Sequence, residues 1–193
     1  MKSYLNNPEL KTMIVEEMEN HLRNDQLIKG TYGQQNGRWK GCAVGCAIHS
    51  LNIKLKKDYP TDNHFVYESE LGIPEWLARV QDVIFEGLPE PDNQQFAVDF
   101  LKSIPVGVDL NPIQWKFCAF IMRENIDRVL SLQITDDLKN KVVAALRQCL
   151  ALHDNAIKTG EWDESAAWSA ASAAWSARSA AESAARSAAG SAA

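Results

Sequence analysis

The sequence predicts a mainly α protein: a compact multi-helix domain followed by an Ala-rich helix built on a heptad repeat. Three observations carry the prediction. Apolar residues recur every three or four positions along most of the chain, Asn-Pro and Asp steps open those stretches, and glycines close them. Strand-like alternation is confined to one short segment, 51–57.

Asn7-Pro8-Glu9 opens the first helix: a capping Asn, a Pro whose missing N–H costs nothing at that position, then an acid in the first turn. Leu10, Met13, Ile14, Met18 and Leu22 keep helical spacing, which predicts a helix to about Ile28, stopped by Gly30. His21 and Asp25 lie four apart on one face of its last turns. A glycine-rich loop follows, and from about Gly41 the run C-A-V-G-C-A-I-H-S reads as helix. At about 100° per residue, Cys42, Cys46 and His49 fall within about 60° of one another.

Leu51-Asn-Ile-Lys-Leu-Lys-Lys predicts a short edge strand or an extended arm, with lysines that blunt an exposed edge. Tyr59–Asn63 is turn-rich. A short helix is expected over His64–Leu71, ended by Gly72, and Pro74 opens another with the stripe Leu77, Val80, Ile84 and Leu88. Asp92 starts a helix carrying Phe96, Phe100 and Ile104. Asn111-Pro112 repeats the opening signal ahead of Ile113, Phe117, Phe120 and Ile121. Thr135 or Asp136 starts a helix whose seam is Leu138, Val142, Ala145, Cys149, Leu152 and Ala156. Cys118 and Cys149 read as core thiols on these helices.

Composition changes after Gly160, which predicts a globular domain over 1–160 and a separate tail over 161–193. From Trp168 the tail repeats in sevens. Ala167, Ala170, Ala174, Ala177, Ala181, Ala184 and Ala188 alternate three and four apart as an all-Ala seam. An isolated Ala/Ser helix is marginal in water, so the tail is expected to pack on its own chain or to join copies into a homo-oligomer.

Several function classes are excluded at the outset. The formal net charge is −5, with 20 Lys and Arg against 25 Asp and Glu, which gives no global case for nucleic-acid or membrane binding. No run of about 18 apolar residues occurs. The start M-K-S-Y-L-N-N-P lacks the apolar core of a signal peptide, and four cysteines do not make a secreted disulfide framework. The expectation is a cytoplasmic protein with reduced thiols.

Candidate chemistry concentrates in Gly30–Ser50, which holds five glycines, two cysteines, one histidine, two cations and two aromatics. Glycine-loop N–H groups running into a helix N-terminus suit a small anionic, nucleotide-type ligand, with Arg38 and Lys40 adding charge, Tyr32 or Trp39 stacking, and Gly41 at the approach. Neither a Walker loop nor a dinucleotide fingerprint is present. A second reading is a cysteine-dependent hydrolase or transferase, with Cys42 activated by the helix N-terminus and the neighbouring cations, His49 or His21 as base, and Asp25 as orienter. A third is a structural or adaptor protein assembled through the tail. Cys42, Cys46 and His49, with His21 or Asp25, form a possible metal face, but the C-x-x-C knuckle is missing, so no metal or cofactor is assigned.

The segments His21–Gly30, K-G-C-A-V-G-C-x-x-H-S over Lys40–Ser50, and L-G-I-P-E-W-L-A-R from Leu71 resemble an uncharacterised family of bacterial and phage proteins that carries this cysteine signature. Some members also end in Ala-rich repeats with periodic Trp. The resemblance covers about two-thirds of the chain and implies kinship rather than an activity. In a phage, a nucleotide binder of this kind would sequester a host signalling nucleotide.

Overall fold

A computed structural model describes residues 1–36 and 38–191, without the side chains of 34–36 and 187–191; Gly37 and the side chain of Ala188 lie outside the described residues. The fold is mainly α, with eight α-helices and one small hairpin among the described residues. By its internal contacts the chain divides into two compact units, Met1–Asn111 and Pro112–Ala193. That division falls well before the compositional step at Gly160, because the tail helix packs on the helix that precedes it.

In the first unit, α1 (Pro8–Arg23) opens as its sequence requires. Asn7 Oδ1 accepts from the N–H groups of Glu9 at 2.9 Å and Leu10 at 3.3 Å. The helix ends at Arg23, earlier than the expected Ile28. The reason is a tertiary pairing. Leu27 is fully buried off the helical stripe, and its segment bridges Gly41 in parallel, with Ile28 N donating to Gly41 O and Gly41 N to Gln26 O, both at 2.9 Å. Asp25 takes a left-handed φ of 54° to make the turn. Between the two partners lies a hairpin the periodicity did not signal, β1 (Gln34–Asn36) with β2 (Arg38–Lys40), antiparallel with Gln35 opposite Trp39.

Helix α2 (Ala43–Leu55) is the centre of this unit. Its first two turns are buried on nearly every side, Ala43 through Ile48, so it reads as uniformly apolar rather than amphipathic. The arm expected over 51–57 is instead the end of this helix. Leu51 continues the buried Val44–Ile48 line, whereas Ile53 is 62% exposed, so the apparent alternation never shared one face. Gly45 lets the chain cross here: a Cβ on it would fall on the Tyr32 carbonyl.

Helix α3 (Phe65–Leu71) closes on Gly72 in the left-handed conformation, as expected. Helix α4 (Glu75–Gly87) buries Ala78, Gln81 and Phe85, one residue on from the expected stripe, whose Leu77, Val80 and Ile84 are half-buried flanks. Helix α5 (Asp92–Ser103) buries Ala97, Val98 and Leu101 and packs on α1 and α4, with Phe96 and Phe100 at its margin.

The second unit is three helices, α6 (Ile113–Ser131), α7 (Asp136–Thr159) and α8 (Glu164–Ser191), with α7 packed against both others. Ala145, Leu152 and Ala156 of the expected α7 seam are buried. From α8, Ala170 and Ala177 are buried, while Trp168 and Trp175 stand 77% and 70% exposed. Asp163 Oδ1 caps α8 by accepting from Ala166 N at 2.9 Å. Among the described residues, no helix is long and apolar enough to cross a membrane.

Candidate functional site

The groups singled out in the sequence separate into three settings in the first unit. The first is interior. His21 is buried, with Nδ1 2.9 Å from Gln26 Oε1 and Nε2 2.8 Å from Ser50 Oγ. The amide oxygen can only accept, so Nδ1 carries the proton and Nε2 accepts from the serine hydroxyl. Burial lowers the pKa of this imidazole, which favours the neutral ring. Gln26 therefore orients His21, in the role expected of Asp25. Asp25 is exposed and pairs with Lys40 at 3.3 Å. Cys46 donates to Gly41 O at 3.4 Å, and burial pushes its thiol up to about 12.

The second setting is a surface cleft. Trp39 of β2 and His49 of α2 stack with centroids 3.9 Å apart and planes 7° from parallel. They wall a cleft of about 460 Å³ that also takes in Gly33, Asn52, Lys57 and Tyr59. Asn52 holds the far side in place: its Nδ2 donates to Tyr59 O at 2.9 Å and its Oδ1 accepts from Tyr59 N at 2.8 Å. Burial, then the nearby His21, lowers the His49 pKa.

The third setting is a hollow of about 200 Å³ lined by Gly30, Thr31, Tyr32, Cys42, Asp82 and Glu86. Cys42 is the N-cap of α2, its Sγ accepting from Gly45 N at 3.4 Å. One ligand atom each from Cys42, Asp82 and Glu86 lie within 4.8 Å of one another. Asp82 Oδ2 accepts from Tyr32 Oη at 2.7 Å and lies 3.2 Å from His64 Nε2, while Oδ1 is buried with no nitrogen or oxygen partner. Gly30 N donates to both Glu86 oxygens, at 3.1 and 3.0 Å. The Tyr32 hydroxyl is pushed up, first by its bond to Asp82 and then by burial.

His21 and His49 are neighbours, with ring centroids 6.2 Å apart, whereas Asp25 pairs with Lys40 at the surface and Cys42 faces the separate hollow. The environment of Cys42 opposes thiolate formation. Arg38 is exposed, Lys40 is engaged by Asp25, and burial, with the Asp82 charge adding to it, pushes the thiol up to about 12. The glycine-loop donors are also committed internally. Gly30 N goes to Glu86, Gly33 N to Thr31 Oγ1, Gly41 N to Gln26 O, and Cys42 N to Thr31 O. No sequence motif marks Asp82, Glu86 or His64. The signal for the acids is their i, i+4 spacing on one face of α4.

Compared with family models, curated proteins and solved structures, the chain matches none.

Proposed function

We propose that the first unit binds a small anionic, nucleotide-type ligand in the Trp39–His49 cleft. The stacked ring pair carries the reading: it supplies an aromatic wall for a base, in a cleft whose volume lies in the range of about 300–1,000 Å³ usual for small-molecule sites. Lys57 supplies the positive charge for a phosphate, with Asp58 beside it on the same lining; the committed N–H groups of the glycine loop do not fill that role. The test is calorimetry against a panel of nucleosides and nucleotides. Trp39→Ala is expected to weaken binding about tenfold or more, in line with about 1–3 kcal/mol for a base–aromatic contact. Lys57→Ala is expected to weaken nucleotides and spare nucleosides. No binding across the panel would overturn the reading.

A second reading concerns the second unit. Trp168 and Trp175 lie about 200° around α8 from the buried Ala170 and Ala177, on the side turned away from α7. Glu161, Asp163 and Glu164 sit at one end of this segment and Arg178, its ion-pair partner Glu182 and Arg186 towards the other, so an antiparallel second copy sets an acidic end against one of net positive charge. We propose homodimerisation through this face. Light scattering is expected to give twice the chain mass, reduced to one chain by Trp168→Glu with Trp175→Glu; a monomeric parent protein would contradict it.

A further inference from the structure

The Cys42 hollow holds three metal-competent side chains that the nucleotide reading does not use. None of them lines the Trp39–His49 cleft. We propose that Cys42 Sγ and the carboxylates of Asp82 and Glu86 form a site for one divalent transition-metal ion of the zinc type.

The geometry comes from two rigid elements. Cys42 is fixed as the N-cap of α2, and Asp82 and Glu86 project four apart from α4. Their ligand atoms already lie within 4.8 Å of one another. Bonds of about 2.0–2.3 Å in a tetrahedron set neighbouring ligand atoms about 3.3–3.8 Å apart.

An independent observation points to an occupant. Asp82 is held from behind: Tyr32 Oη donates to Oδ2 at 2.7 Å and His64 Nε2 sits 3.2 Å from the same oxygen. Oδ1 is buried with no nitrogen or oxygen partner, and the Cys42 thiol, a weak donor, is the group this carboxylate raises by its charge and a side-chain hydrogen bond. A buried carboxylate oxygen left unsatisfied is costly, and a cation satisfies it. Orientation of a ligating carboxylate by outer hydrogen bonds is the usual construction of a metal site. Glu86 is exposed at the mouth of the hollow, where both its oxygens accept from Gly30 N.

The donor set selects the ion. A thiolate with two carboxylates favours zinc or cobalt over magnesium or calcium, which take oxygen ligands alone. On binding, the S–H bond of Cys42 breaks, sulfur keeps the electron pair as the metal–thiolate bond forms, and the proton passes to solvent. Three protein ligands leave a fourth position facing the hollow, open to water or to an oxygen of a small ligand.

The test uses full-length protein stripped with a chelator and titrated with Co²⁺ by absorption, then with Zn²⁺ by calorimetry. The expected result is one equivalent of metal and a near-ultraviolet thiolate-to-cobalt charge-transfer band. Cys42→Ser, which keeps a capping side chain at the helix N-terminus, should abolish the band with helicity unchanged by circular dichroism. Asp82→Asn and Glu86→Gln should each weaken affinity about tenfold or more, whereas Cys118→Ser and Cys149→Ser should leave it unchanged. Absence of saturable binding, or a band that survives in Cys42→Ser, would overturn the assignment. Nucleotide affinity in the same variants reads the cleft separately, since its residues are untouched.

Discussion

Tyr32 donates its phenol to Asp82 across 2.7 Å, and that single bond joins the loop ahead of α2 to the face of α4. The two residues are 50 positions apart in sequence, and the acceptor is a mostly buried carboxylate. Removing the hydroxyl leaves Asp82 with His64 alone on that oxygen. Tyr32→Phe should therefore lower unfolding stability by about 1–2 kcal/mol, measured by urea denaturation, since bonds to charged groups are the stronger kind.

The crossing of loop and helix makes a second prediction. Gly45 has no space for a Cβ, which would meet the Tyr32 carbonyl, whereas a Cβ on Gly87 at the end of α4 meets nothing within 4 Å. Gly45→Ala should destabilise by about 1–3 kcal/mol through overpacking. Gly87→Ala should be neutral or stabilising by up to about 1 kcal/mol. Thermal melts of the pair decide it, and equal shifts would contradict the close approach.

How much of this was legible before the structure follows from the range of each interaction. Helix starts and stops are local, so Asn7-Pro8, Gly72 and Gly160 could be read directly. The α7 seam was legible for the same reason: its period is internal to one helix. The end of α1 was not, because Leu27 leaves the helix to pair with Gly41, and nothing within 24–28 announces that partner. The Cys42 hollow was half legible. A cysteine at a helix start is visible in sequence, but Asp82 reaches it only because Tyr32 and Gly45 bring loop, α2 and α4 together. His21 and Asp25 looked like a pair by spacing, yet the left-handed turn at Asp25 sends its carboxylate to Lys40 and leaves Gln26 to the imidazole.

The interior imidazole has a pH signature. The folded-state pKa of His21 is lowered by burial from an ordinary value of 6.5, so the unfolded chain takes up the proton first. Its contribution to stability is complete above that value and is lost as pH falls through it and on towards the lower folded-state pKa. His49 and His153 are shifted the same way. Urea midpoints should therefore fall between pH 7.5 and pH 5.5, and His21→Gln should flatten the fall. A midpoint that rises on acidification would contradict the assignment.

Thiol reactivity should invert the order expected of an activated cysteine. Cys42 and Cys46 are buried with thiols pushed up to about 12, whereas Cys118 and Cys149 are half-exposed. Mass spectrometry after iodoacetamide treatment at neutral pH should find Cys118 and Cys149 labelled first. Preferential labelling of Cys42 would restore the nucleophile reading.

A nucleotide-type ligand seated against Trp39 and His49 should be visible in nitrogen–proton correlation spectra of the full chain during a nucleotide titration. Saturable shifts are expected at the Trp39 indole, the His49 amide and the Asn52 side chain, with resonances of the second unit unchanged. Shifts confined to residues outside the cleft, or spectra that stay superimposable up to millimolar nucleotide, would contradict it.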